Sequence, residues 1–473
     1  MSKKSTIRSN WPKWVLQWGI LAALILFLTG IAAKVFPALE KADPETYCPM
    51  GGLEAFVTYL TRGSLPCTMN SAQILMGLAL AAAVILFSKL FCSYICPIGT
   101  IEDLMVKLRN ITGLNAINIR NGSVADRILR IVKYVLLFWI FYMTATASEL
   151  FCKNLDPYYA VATGFKGEIT LWMSVTTVTL VLLGGLLVSR FWCRYICPLG
   201  AASNSLKFWI PMLVLVAIWW LLGLIGVQIS WWLLMGAWCL LGWALEAFHS
   251  KPKFQLTSVV RDSAKCGKTC MSCQKNCPYN INVASMDRVA HVDCTLCGEC
   301  VAACPHKALS IGVCGRSVKH GKFIPAAITV IMVALAMVLG SRFELPTIDE
   351  SWGIEEGMKL ESVRIEGLKT VKCFGSSMAF KAKMEKVAGV HGVKTYVGSH
   401  SVVIKYDPKV ISADKLQEQV FEPSHFRIWS PDPTKVSELK VVTIRTEKMT
   451  SKLDLNYLGL QMRTTGKSIM QNQ

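Results

Sequence analysis

Between positions 266 and 305 the chain carries two cysteine runs, "CGKTCMSCQKNCP" and "CTLCGECVAACP". The first supplies Cys266, Cys270, Cys273 and Cys277; the second supplies Cys294, Cys297, Cys300 and Cys304. The second fits C-x2-C-x2-C-x3-C-P at every position, and the first departs from it in opening with three intervening residues. Three closely spaced thiolates wrap one [4Fe–4S] cube, and the cysteine before proline reaches the other cube. The spacing therefore predicts cluster A on Cys266, Cys270, Cys273 and Cys304. It predicts cluster B on Cys294, Cys297, Cys300 and Cys277. Zinc knuckles use paired CxxC steps and four ligands, which fits two triple runs closed by CP poorly.

The block is set in an apolar chain. Of 473 residues 53% are hydrophobic and 17% charged, with a mean hydropathy of +0.41. Seven runs are long and apolar enough to predict membrane spans, near 14–36, 71–91, 128–147, 171–191, 208–226, 231–248 and 323–340. The first could be a signal peptide, but its length and the spans behind it favour an uncleaved helix. The expected fold is a mostly α membrane protein with an internal helical-hairpin repeat, an inserted 2[4Fe–4S] ferredoxin-like domain and a C-terminal α+β domain. The expected boundaries are 1–249 for the membrane domain, 250–320 for the ferredoxin domain, 321–341 for the seventh helix and 342–473 for the C-terminal domain and tail.

The net charge of +19 would suggest nucleic acid in a soluble protein. Here much of the excess lies beside apolar runs and sets orientation instead. Residues 1–13 carry four cations and no acid, and 249–322 carries eleven Lys/Arg, whereas 39–70 has two cations and four acids. The positive-inside rule puts the N-terminus, 92–127, 192–207 and 249–322 in the cytoplasm. The loops 39–70 and 149–170, and everything after 341, then face outward.

The chain also repeats itself. "SKLFCSYICPIG" at 88–99 and "SRFWCRYICPLG" at 189–200 agree at seven of twelve positions. Such a repeat allows a pseudo-two-fold arrangement that brings the two CxxxCP ends together. Cysteines at i and i+4 share a helix face, and proline disfavours helix at the residue before it. The expectation is that each span ends at its second cysteine, at the cytoplasmic boundary. Three readings of Cys92, Cys96, Cys193 and Cys197 stand: an additional iron–sulfur cluster, redox thiols that form and break disulfides, or small buried packing residues.

Cys48, Cys67 and Cys152 fall on the expected outer side, where a Cys48–Cys67 disulfide could form. Cys239 lies in an apolar run and reads as packing. None of the seven histidines falls inside an expected span, so no haem is expected in the bundle. After the last span, 361–420 reads as β-α-β-β-α, which predicts a small ferredoxin-like βαββαβ sandwich.

Two CxxxCP motifs, "CPMGGLE", "DPYYA" and the cysteine block behind them resemble the NapH, NosR and CcoG group of membrane polyferredoxins, over about 10–310. The resemblance implies electron transfer through iron–sulfur centres at the bacterial inner membrane, between a cytoplasmic or quinol donor and a membrane or periplasmic acceptor. Copper reduction during oxidase assembly, or a redox sensor, are the alternatives. It leaves open whether the chain is itself an oxidoreductase subunit. Implied cofactors are two [4Fe–4S] clusters, with a third cluster and quinone as further candidates. Implied partners are lipid, redox proteins on both sides of the membrane, quinol and copper, with no nucleic acid. Residues 358–430 are similar to heavy-metal-associated domains, which places Cys373 where their metal loop lies. Ser376 stands where the second thiol would be.

Overall fold

The computed structural model describes residues 10–29, 31, 48–62, 71–420, 426–429 and 468–471. Within 71–420 it omits 118, 148–149, 166–168, 253, 268–269, 319–320, 343, 355–357, 369 and 372–373. The chain forms two compact units. One comprises Met1–Glu54, Ala72–Thr146 and Leu150–Leu339; the other comprises Ala55–Ser71, Ala147–Glu149 and Gly340–Gln473.

The apolar runs of the first unit are helical. Among the described residues four helices are long and apolar enough to cross a bilayer: Trp11–Leu28, Val124–Thr146, Trp231–His249 and Gly321–Gly340. Pro198–Lys207 and Trp209–Leu224 make a fifth if taken together, with an 89° bend between them. Gln73–Leu86 and Leu171–Leu187 are apolar but shorter. The two short helices are those that lead into the repeated motifs, and the motifs explain why they are short.

The expectation that each span runs to its second cysteine is corrected here. Helix Ser71–Leu86 stops before the motif, and Leu90–Tyr94 then forms a separate turn. That turn sets Leu90 and Phe91 beside Met76, Ala79 and Ala83 of the same helix. Cys96 is extended at φ −62° and ψ 120°, and Pro97 opens a new helix, Pro97–Thr112. The second copy does the same. Helix Leu171–Leu187 ends, Trp192–Ile196 makes a wide π turn, Cys197 is extended at φ −62° and ψ 116°, and Pro198 opens Pro198–Lys207. Proline at the first helical position lacks an N–H that would be unpaired anyway. The motif is thus a helix start, and the i, i+4 argument does not apply because Cys96 and Cys197 lie outside the preceding turn.

The glycine two residues after each proline completes the motif. A side chain on Gly99 would strike the carbonyl oxygen of Cys92, and one on Gly200 would lie 2.8 Å from that of Cys193. The new helix therefore packs directly on the backbone of the first cysteine.

The span 92–127 is not the expected simple basic loop. Helix Pro97–Thr112 buries Glu102, Asp103 and Arg109, and Arg109 donates to Ser189 Oγ at 3.0 Å. Behind the membrane helices, residues 257–317 form a small antiparallel sheet. Strand Thr257–Arg261 pairs with Arg288–Val289 on one side and Leu309–Val313 on the other, with Val259 opposite Val289 and Ile311.

In the second unit, four antiparallel strands stand in the order Ile348–Ser351, Val390–Tyr396, Ser401–Tyr406, Glu361–Ile365. Helices Phe374–Met384 and Ala413–Val420 follow the first and last strands of the 361–406 segment. Their buried Phe380, Met384, Leu416 and Val420 close a core on Val393, Val402 and Ile404.

Candidate metal centres

The two cysteine runs fold as mirror copies. Each contributes one short helical turn, Ser272–Lys275 and Glu299–Ala302, and the Ser272 hydroxyl donates to the Ala303 carbonyl at 2.9 Å. In each copy the cysteine before proline accepts an N–H from four residues on. Ile281 N–H donates to Cys277 Sγ at 3.5 Å, and Ala308 N–H to Cys304 Sγ at 3.3 Å. Hydrogen bonds to sulfur are one of the levers that set the potential of a cluster.

Cys277, Cys294, Cys297 and Cys300 line one cavity of about 360 Å³, walled by Val259, Tyr279, Ile281, Val283, Val289 and Leu296. The structure thus brings together a cysteine from the first run and three from the second. Burial, reinforced by Cys297, pushes the Cys277 thiol up to about 12; burial pushes Cys297 to about 11 against the pull of Lys13. A bare thiolate is disfavoured there, and iron would supply the compensating charge. Of the other run, Cys273 has Cys304 and Cys270 as charged neighbours. Among the described residues no three His, Cys, Asp or Glu side chains close on a single metal ion.

The cavity's cysteine loop is seated on the membrane repeat. Ser88 Oγ donates to the Cys294 carbonyl at 2.6 Å, Tyr94 to that of Leu296 at 3.1 Å, and Lys207 Nζ to that of Cys294 at 2.6 Å. From the first helix, Asn10 donates to the Cys297 carbonyl at 2.7 Å and Lys13 pairs with Glu299 at 2.9 Å. Tyr279, two residues after Cys277, is buried with Lys89 and Arg190 each 5.7 Å from its ring centre. Its charge environment is set by Cys193, Arg190, Cys92 and Glu102.

Buried charges hold this seat. Arg130 binds Asp126, Glu246 and Asp293, while Lys133 binds Glu246 at 2.6 Å. Burial alone would raise the Asp293 carboxyl, but Arg130 and Lys89 hold it well below the ordinary value. Glu102 accepts N–H bonds from Trp192 at 2.8 Å and Cys193 at 3.4 Å, tying the helix after one motif to the turn of the other.

A second, half-open cavity lies where four chain segments meet. Its wall includes Cys48–Pro49, Cys96–Pro97, Asp156–Pro157 and Cys197–Pro198, together with Cys152, Phe91 and Trp192. Cys96 and Cys197 face this cavity with Cys48 and Cys152; Cys92 and Cys193 are absent from its wall. Cys48 and Cys152 are free thiols in this wall. Cys67, the other half of the disulfide that could form with Cys48, lies outside the described residues. Cys373 also lies outside them. Cys239 is buried in the 231–244 helix.

Sequence reasoning gave no role to Tyr279, Glu102, Asp103 or the motif glycines, and Asp156 entered it only within "DPYYA". Asp156 was findable, because "DP" at 156–157 repeats the residue-before-proline pattern of the three "CP" pairs.

Comparison with known proteins agrees with this layout. A family model described as a 4Fe–4S binding domain matches twice, at 71–115 and 170–214, on the two membrane motifs. A model of a 4Fe–4S dicluster domain matches 258–313. The chain's homologues are ferredoxin-type proteins of the NapH, NosR and YccM kind. Escherichia coli YccM, named for electron transport, is 30% identical over 55% of this chain and 61% of its own length. Escherichia coli NapH is 26% identical over 53% of this chain and 71% of its own. Pseudomonas aeruginosa NosR, named a regulatory protein, is 28% identical over 26% of this chain and 17% of its own. The chain thus spans less than two thirds of YccM and a small part of NosR. No solved structure matches it. The family models and the cysteine sets together support iron–sulfur clusters as cofactors.

Proposed function

We propose that this chain is a membrane-bound iron–sulfur electron carrier, passing single electrons between a cytoplasmic or quinol donor and an acceptor in the membrane or beyond it. The observation that carries the reading is the seating of the cluster B loop on the first CxxxCP turn, through Ser88 and Tyr94, and on Lys207 of the helix that follows the second. Bound at Cys294, Cys297, Cys300 and Cys277, and at Cys266, Cys270, Cys273 and Cys304, the clusters would supply one-electron chemistry. The chain's own residues do the rest. The N–H groups of Ile281 and Ala308 stabilise charge on sulfur. The apolar wall of the cavity excludes water. Lys89 and Arg190 hold Tyr279 between the ferredoxin domain and the repeat.

The sidedness read from the loop charges gives a multi-pass inner-membrane protein, with the N-terminus and 250–320 cytoplasmic and 342–473 periplasmic. The 361–365, 401–406, 390–396 strand order with its two helices supports a ferredoxin-like sandwich, with 348–351 as its further edge strand, that serves as a docking surface for a redox protein on that side. In this scheme the two CxxxCP motifs relay electrons from cluster B inward.

The test is electron flux in sealed vesicles of the purified chain. With a low-potential donor outside and an impermeant acceptor enclosed, the acceptor should be reduced, and Cys297→Ser should stop it. Clusters that are reduced from outside without any delivery to an acceptor would instead mark a redox sensor.

A further inference from the structure

The half-open cavity holds more sulfur than the repeat alone provides. Four thiols border it, from four separate segments: Cys48, Cys96, Cys152 and Cys197. Cys96 and Cys197 precede helices of sixteen and ten residues, so two positive helix ends face the same space. Trp192, in its wall, is buried and has an indole N–H with no partner. Such a cavity favours a compact anionic group with sulfur ligands over a bare apolar guest.

The other half of each CxxxCP motif stands outside this wall. Cys193 lies against the buried Glu102 carboxyl, and its backbone N–H donates to Glu102 Oε2 at 3.4 Å. Cys92 stands among Lys89, Arg190 and Lys207 on the side facing Tyr279. The second cysteine of each pair lines the cavity; the first does not, though Cys92 and Cys193 stay within charge range of Cys96 and Cys197.

We propose that Cys48, Cys96, Cys152 and Cys197 ligate a [2Fe–2S] cluster within the membrane domain, with Cys48 and Cys152 on one iron and Cys96 and Cys197 on the other. Cys48 and Cys152 stand in the same wall, and the proposal puts them as a pair on one iron. Two thiolates on one tetrahedral iron lie about 3.8 Å apart, given metal–sulfur bonds of about 2.3 Å. Cysteines on different corners of a cube stand farther apart than that. The cluster takes one electron as one ferric iron becomes ferrous, a reduced ferredoxin-domain cluster being reoxidised, with no bond to the protein broken. The site rests on the electron-carrier reading, and it extends that relay from the repeat to the segments carrying Cys48 and Cys152.

The test is iron content and Mössbauer spectroscopy of the full chain, purified anaerobically. Two cubes account for about eight irons, and the proposal expects about ten, with a [2Fe–2S] component. Cys48→Ser and Cys152→Ser should each lose that component and about two irons while keeping both cubes. Cys92→Ser and Cys193→Ser should keep it. Loss in the Cys92 and Cys193 variants with retention in the Cys48 and Cys152 variants would overturn the ligand set and leave the electron-carrier reading intact. A wild type at about eight irons with no [2Fe–2S] signal would overturn the site in the same way. A wild type without cubes would sink the electron-carrier reading itself. Should a variant not accumulate, maleimide labelling of the wild type, read by peptide mass, replaces it. Cys48 should label after iron is chelated and resist before; labelling of iron-loaded protein would overturn the proposal.

Discussion

Arg190 donates to Asp103 at 2.5 Å, from the cation that precedes one CxxxCP motif to the helix that follows the other. The equivalent pair in the repeat is Lys89 with Asn204, at 2.7 Å. The two repeats thus exchange polar contacts about a pseudo-two-fold axis, and the exchange is what holds the two motifs side by side. Arg190 adopts φ +58°, a left-handed conformation uncommon for a residue with a side chain. Its bonds to Asp103 and the Gly99 carbonyl, the latter at 3.1 Å, fix it there.

The exchange is unequal in charge, so its two halves should differ in cost. Asp103 also pairs with Lys13 at 2.9 Å, so Asp103→Asn leaves buried Arg190 without its paired carboxylate and Lys13 with Glu299 alone. The expected loss is about 3–5 kcal/mol. Asn204→Ala leaves Lys89 with Asp293 at 3.8 Å and should cost about 1 kcal/mol. Thermal unfolding in detergent, followed by cluster absorbance, should rank Asp103→Asn well below Asn204→Ala. Equal shifts would mean that the pairs do not carry the interface.

The motif glycines give a second ranking. A methyl group on Gly99 or Gly200 meets backbone carbonyls that cannot swing aside, and overpacking of this kind costs about 1–3 kcal/mol. Gly223 has nothing within 4 Å of a would-be Cβ, so Gly223→Ala should be neutral or stabilise by about 0.5–1 kcal/mol. Melting temperatures of the three alanine variants check this. A Gly99→Ala protein as stable as wild type would show that the helix does not need to pack on Cys92.

His291 introduces a pH dependence. It is buried beside Asp293, whose N–H donates to His291 Nδ1 at 3.1 Å. Burial lowers its imidazole from 6.5 to about 4; Asp293 opposes the shift, and Arg130, Lys207 and Lys89 add to it. The unfolded chain therefore takes up a proton at this residue near pH 6.5 while the folded chain does not. Stability falls as pH drops from about 6.5 towards 4, by about 3 kcal/mol over the whole window. Asp293 contributes only below this window, because its carboxyl is held down from 3.8. Urea unfolding at pH 7.5, 6.5 and 5.5 should show the loss in wild type and a flatter profile in His291→Asn.

The cysteine block was legible because spacing alone marks two triple runs closed by CP, and Cys277 shares a cavity with Cys294, Cys297 and Cys300. The apolar runs were legible as helices because hydropathy needs no tertiary context. Their ends were not. Proline 97 reads as a stop by its missing N–H, yet the same missing N–H makes it a good first residue of a helix, and the choice depends on what packs behind it. Contacts between segments distant in sequence stayed hidden for the same reason. Lys89, Arg190 and Glu102 look like membrane-boundary charges in the sequence, and only packing shows that they pair with one another's repeat. Cys48 and Cys152 looked like outer-loop cysteines until the fold set them opposite Cys96 and Cys197.

The crossing of the two cysteine runs makes the last prediction. Cys277 belongs to the first run by position but shares its cavity with Cys294, Cys297 and Cys300. Cys277→Ala should therefore remove the same cluster as Cys297→Ala, although the two residues lie in different runs. Each should lose about four irons and leave the same single-cluster EPR spectrum on reduction. Cys273→Ala should remove the other cluster and leave a different spectrum, because the remaining cube then sits against Tyr279, Lys207 and the repeat. If Cys277→Ala instead matched Cys273→Ala, each run would hold its own cube, and the mirrored N–H bonds from Ile281 and Ala308 would report a local turn and not a shared pair of clusters.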